Sequence, residues 1–173
     1  MSTNQLTNWT QVVGADPYSL QVSFTVTRNI VKGEPYFFRY RAINAIGPGQ
    51  WSELGQITAA TVPVAPAKPA YISSTDTTIT LSLEHSTDNG GGKIEEHLLY
   101  RDGGDLTTAV EIEVTDYNGV DTQYTVTGLT PGVKYRFNYA AANFLGESQR
   151  SLTLTASSSS LPDPPKDIVI DWD

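Results

Sequence analysis

The chain has 173 residues, 39% hydrophobic and 17% charged, with no cysteine and a formal charge of −8. That length suits one domain or two small ones, and the apolar share supplies a core, which excludes wholesale disorder. Zero Cys excludes a disulfide scaffold, a thiolate metal site and a Cys nucleophile, while the acidic balance argues against nucleic-acid or anionic-membrane surfaces, which need basic clusters.

Along the chain, the opening MSTNQLTNWT does not read as a secretory signal, and no apolar run approaches the ~18 residues of a membrane span. The runs FTVT (residues 24–27) and YFFRYRAIN (36–44) come first. Residues 61–71, TVPVAPAKPAY, carry Pro63, Pro66 and Pro69 and read as a short semi-rigid connector, because proline fixes φ. In TTITLSLE (77–84), Ile79, Leu81 and Leu83 fall on one face and Thr or Ser on the other. That is the period of a half-buried strand. YTVT (124–127) and YRFNYAAAN (135–143) behave alike. Turn clusters punctuate them: DNGGG at 88–92, DGGD at 102–105, DYNG at 116–119 and TPG at 130–132. After a Ser run (157–160) and LPDPPKD, the chain closes on DIVIDWD, one more alternating segment. No window keeps the helical apolar period. Short strands with turns at this spacing predict an all-β sandwich or barrel.

The chain also repeats itself. Residues 36–44 align with 135–143 at an offset of 99, and the match extends through Gly47 with Gly146 and Ser52 with Ser151. A period near 100 is too long for a solenoid unit and suits tandem sandwich domains.

These residues resemble the fibronectin type III family. Residues 77–83 resemble its second strand (B), and Asp88-Asn89-Gly90-Gly91-Gly92-Lys93-Ile94 resembles the loop before strand C in many muscle-type members. Leu129-Thr130-Pro131-Gly132-Val133-Lys134-Tyr135 matches the L-x-P-x-x-x-Y signature leading into strand F, and residues 143–148 resemble the F–G turn. There are departures: Leu83 stands where the family usually has Trp, His97 where an aromatic is usual, and Lys32 replaces the proline of the first copy. The resemblance implies tandem immunoglobulin-like Greek-key β-sandwiches, with Tyr36 and Tyr135 as tyrosine-corner residues. It divides the chain into a partial domain at 1–62 (strands C′, E, F and G, with Trp9-Thr10-Gln11-Val12 as C′), a complete domain at 63–161 and the first strand of a following domain at 162–173. Half a sandwich leaves its inner face and strand edges uncovered. The expectation is therefore an excerpt of a longer array, or strand exchange between chains. Residues 66–160 are expected to fold alone, and 1–63 not.

Little supports catalysis. A serine triad needs a base and an orienting acid, yet only His85 and His97 are present, without a nucleophile elbow or phosphate loop. The two histidines alone do not make a metal site. Asp102, Asp105, Asp163 and Asp167 are the least poor calcium ligands, but Asp also populates turns for backbone reasons. Glu95 and Glu96 are adjacent on a strand and point to opposite faces, so they cannot flank one glycosidic bond. Tyr36, Phe38, Tyr40, Tyr135, Phe137 and Tyr139, at period two, read as core. No catalytic residue, metal or cofactor is expected.

Trp51, Phe144 and Leu145 in the F–G turns are candidate partner contacts, Trp51 having packing on its own sheet as the alternative. Asn8, in Asn8-Trp9-Thr10, is the sole glycosylation sequon. The expected role is a non-enzymatic spacer and protein-binding segment in adhesion or a filament, extracellular or at the cell surface. Its partners would be proteins or neighbouring copies, with no nucleic acid and no membrane insertion. The alternatives are an accessory linker of a secreted carbohydrate-active enzyme, or a cytoplasmic giant-scaffold module.

Overall fold

The computed structural model describes residues 9–14, 19–107 and 109–162. Among these it has ten strands and no helix: β1 (Pro35–Phe38), β2 (Gly55–Thr58), β3 (Ala70–Ser74), β4 (Ile79–Ser82), β5 (Ile94–Arg101), β6 (Ile112–Glu113), β7 (Gln123–Val126), β8 (Lys134–Asn143), β9 (Gly146–Glu147) and β10 (Leu154–Ser157). The chain divides into two compact units. One is Met1–Ala65 with Ser86–Glu96 and Ala141–Gln149; the other is Pro66–His85 with His97–Ala140 and Arg150–Asp173.

The second unit holds the core. One sheet runs β3-β4-β7 and the other β10-β8-β5-β6, the A-B-E and G-F-C-C′ order of an immunoglobulin-like sandwich. The alternation in 77–84 is realised directly: Ile79, Leu81 and Leu83 are fully buried. They meet Leu99, Val126, Tyr135, Phe137 and Tyr139 between the sheets. Leu83 thus fills the usual Trp position as an aliphatic core residue. On the opposite face of the β4–β7 pair, Thr80 and Thr125 hydroxyls bond at 3.0 Å. Tyr135 folds back so that its hydroxyl accepts the Thr130 N–H at 2.9 Å.

The first unit contains β1 paired antiparallel with β2 in the register Tyr36↔Ile57, Phe38↔Gly55. β8 pairs with β10 as Tyr135↔Ala156, Phe137↔Leu154. Every partner is displaced by the same 99 residues. The Tyr36 hydroxyl accepts the Val31 N–H at 2.7 Å, the counterpart of the Tyr135 bond. Ser52 exchanges bonds with the Tyr40 backbone as Ser151 does with Tyr139.

Three expectations for the first copy need correction. Residues 9–12, read as strand C′, are not a strand, and neither is the FTVT run at 24–27. A strand requires a neighbour for its N–H and C=O groups; in the second unit β7 pairs with β4 and β6 with β5, and the described residues of 1–62 show neither kind of partner. Tyr40, read as core, is 79% exposed, whereas Tyr139 is fully buried. Phe38 is only half-buried, since among the described residues no second sheet covers this face. Asn8 and nearly all of the closing segment 162–173 lie outside the described residues.

Candidate functional site

The densest polar network in the first unit surrounds the connector. Asp88 and Asn89 fold their side chains back onto the Gly90 and Gly91 N–H groups, each at 2.9 Å. Gly90 and Gly91 then take φ of +71° and +87°, which glycine adopts without Cβ strain. The loop's carbonyls face the connector: Gly90 accepts from Thr61 N at 2.8 Å and Asp88 from Val64 N at 3.0 Å. The Asn143 amide donates to Thr61 O (2.8 Å) and Asn89 O (3.0 Å). Ser86 donates to Val64 O at 2.6 Å.

The approach is close enough to exclude side chains. A Cβ on Gly90 would lie 2.6 Å from Val62 O, and one on Gly91 2.7 Å from Gly33 N. Lys32 reaches both Asp88 oxygens at 2.5 and 2.6 Å. Its ammonium, then the Gly90 N–H, hold the Asp88 carboxyl below the usual carboxylate range. Asx turns, glycines and charge therefore combine to seat residues 61–64. The sequence showed the glycine run as a turn; what the glycines make room for was not readable from it.

The three candidate contact residues are all in this unit. Phe144 and Leu145 are about half exposed. The Phe144 ring closes over Gly92, with Cε1 2.6 Å from where a Cβ would stand. Trp51 is 47% exposed but its ring faces are occupied. Arg39 Cζ lies 4.4 Å and Arg41 Cζ 4.3 Å from its centroid, and Arg39 also lies 4.0 Å from the Trp9 centroid. This ladder of alternating indole and guanidinium groups was missed from sequence. Its signal was Arg39 and Arg41 at strand period two, which puts both on one face.

The second unit holds the two histidines. His97 is buried and stacks between His85 (4.3 Å, 16°) and Tyr139 (5.5 Å, 13°). His97 Nδ1 bonds the Gly119 carbonyl and His85 Nε2 the Val120 carbonyl, so the pair clamps two successive peptides of one loop. Burial pushes the His97 pKa down, and His85 adds to that, against the opposing pull of the Gly119 bond. Burial likewise pushes Tyr117 and Tyr139 up; their hydroxyls bond each other at 2.9 Å.

Asp102, considered for calcium, is fully buried and committed elsewhere. Its oxygens accept Arg136 Nε (2.8 Å), Arg136 N (3.0 Å) and Gly104 N (3.1 Å). Among the described residues, no group of three or more His, Asp or Glu is placed to hold a metal. No helix there is long and apolar enough to cross a membrane.

A two-sheet sandwich with this strand order, a tyrosine corner and polar loops defines an immunoglobulin-like β-sandwich module. The fibronectin type III domain pattern matches residues 64–157, and the chain belongs to that family. It is similar to human Myomesin-2, 30% identical over 130 residues, covering 73% of this chain and 9% of that protein. It is also similar to a Kelch domain-containing protein of Sulfurisphaera tokodaii, 29% identical over 75% of this chain and 16% of that protein. The chain thus spans under a fifth of the length of these relatives. Among solved structures, a run of titin domains superposes with a TM-score of 0.56 at 20% identity, over 76% of this chain and 43% of that one. A human fourth FNIII domain superposes at 0.53 and 21% identity, over 64% of this chain and 91% of that one. Fibronectin type III domains are generally non-enzymatic structural and interaction modules.

Proposed function

We propose that the chain is a non-catalytic segment of a tandem fibronectin type III protein, serving as spacer and protein-binding module in an extended assembly. The observation that carries this reading is the shared register of β1–β2 and β8–β10 at a constant offset of 99 residues. On this reading residues 1–62 are a partial domain, 63–161 a complete one and 162–173 the first strand of the next. The seated connector, with Pro63, Pro66 and Pro69 all buried, limits bending at its end of the module. Trp51, Phe144 and Leu145 are the proposed contacts to protein partners or neighbouring copies. The similarity to Myomesin-2 and the DNGGGKI loop favour a cytoplasmic scaffold over adhesion at the cell surface. Glycan on Asn8 in native material would reverse that preference, and a neighbouring polysaccharide-degrading domain would favour the accessory-linker role.

Light scattering and electron microscopy of the native protein test the reading. A large mass that is fixed on dilution, in an extended particle, is expected. A compact particle, or a concentration-dependent dimer of the 173-residue chain, would overturn it, the dimer pointing to strand exchange.

A further inference from the structure

Among the described residues, the arginines of the indole ladder have no carboxylate partner. Among the same residues, Lys32 pairs with Asp88 and Arg136 with Asp102; Arg39 and Arg41, like Arg28 and Arg101, pair with no carboxylate, and what sets Arg39 apart is that its buried Nε has no hydrogen-bond partner. The chain as a whole carries a net charge of −8. The region is locally different: in residues 1–62, Arg28, Lys32, Arg39 and Arg41 are offset only by Asp16, Glu34 and Glu53.

The fold does not require them. At the equivalent positions, 99 residues on, stand Asn138 and Ala140, and Arg150 replaces Trp51. Asn138 donates to Ser151 O at 2.8 Å and completes the hairpin without charge. The same backbone is therefore built with neutral side chains at the two arginine positions, and the ladder is an addition to it. Stacking on Trp9 and Trp51 orients both cations through their faces. A guanidinium held flat keeps its N–H edge for bidentate binding of a carboxylate, and its rotamer entropy is already spent.

We propose that the Trp9–Arg39–Trp51–Arg41 ladder is a binding site for the carboxylates of an acidic polypeptide segment, an inference that rests on the protein-binding reading above. Exposed Arg41 makes the first contact, and Arg39, fixed between two indoles, holds Trp51 and the local field in place. The acidic remainder of a second copy of this chain has the required chemistry, as does any other acidic protein segment.

The test is NMR titration of the full chain with an octaglutamate peptide at low salt, following the Trp51 indole N–H and Arg39 Nε–H resonances. A saturable shift of both is expected, at least tenfold weaker in Arg41→Ala, absent in Arg39→Asn/Arg41→Ala and reduced by salt. That double variant carries the residues of the other hairpin, and its fold is checked by protection of the Tyr40 and Ser52 amides; should it unfold, Arg41→Ala alone decides. No saturable shift, or one undiminished in the variants, overturns the proposal. So does binding of a heparin oligosaccharide where octaglutamate fails, which would make this a sulfated-polysaccharide site. Sedimentation of the chain alone separates the sources: self-association lost in the double variant identifies a second copy, and its absence with octaglutamate binding intact identifies another protein. The mass and shape measurement decides the parent reading separately.

Discussion

The β1–β2 and β8–β10 hairpins share one hydrogen-bond plan and differ in what covers them. Gly33 N bonds Ala59 O at 2.8 Å, and Gly132 N bonds Ser158 O at 2.7 Å; Gly49 N bonds Ala42 O at 2.9 Å, and Ser148 N bonds Ala141 O at 2.8 Å. Yet Tyr40 is 79% exposed and Tyr139 fully buried. Turn chemistry and pairing are local properties that a sequence repeats when its motifs repeat. Burial is a property of the opposing sheet, which among the described residues only the β8–β10 hairpin has.

The largest test of that contrast is a matched pair of truncations. Tyr139→Ala should cost about 3–5 kcal/mol in chemical denaturation, as for other large core aromatics. Tyr40→Ala should stay within about 0.5 kcal/mol, as for surface changes. Equal costs would show that the first hairpin is covered in solution. Next, Asp102→Asn should destabilise the second unit by about 3 kcal/mol, because Arg136 is left without its buried anion. Phe37 stands at the position equivalent to Arg136, so the first hairpin has no such lock to lose.

The smallest effect is a pH dependence confined to the second unit. The folded state lowers the His97 pKa, so it binds fewer protons than the unfolded chain, whose imidazole titrates near 6.5. Stability from this group is therefore complete above about pH 6.5 and declines as pH falls below it. Urea midpoints between pH 8 and 5 should show that decline, and His97→Phe should flatten it. A midpoint in the unmodified chain that does not move would break the assignment of the stacked pair.

Much of the second unit was legible in advance. Period-two patterning placed Ile79, Leu81 and Leu83 inside, and L-x-P-x-x-x-Y placed the Tyr135 corner. The same alternation put Tyr40 in a core, and the family resemblance gave a strand to 9–12; a pattern or a resemblance records a capacity for burial and pairing but not whether a partner is present. The ladder and the connector seat were illegible for a related reason. Both join residues far apart in sequence: Trp9 meets Arg39, and Gly90 meets Thr61.

The sequence by itself determined the all-β class, the family, the repeat and the local turns, because side-chain alternation, glycine at positive φ and Asx capping act over a few residues. Tertiary structure alone decided which repeated aromatics are buried, that Asp102 pairs with Arg136, that the histidines stack, and that Arg39 and Arg41 lie against indole faces. Those outcomes depend on which surfaces meet across the fold, and desolvation, stacking and ion pairing take effect only where they do.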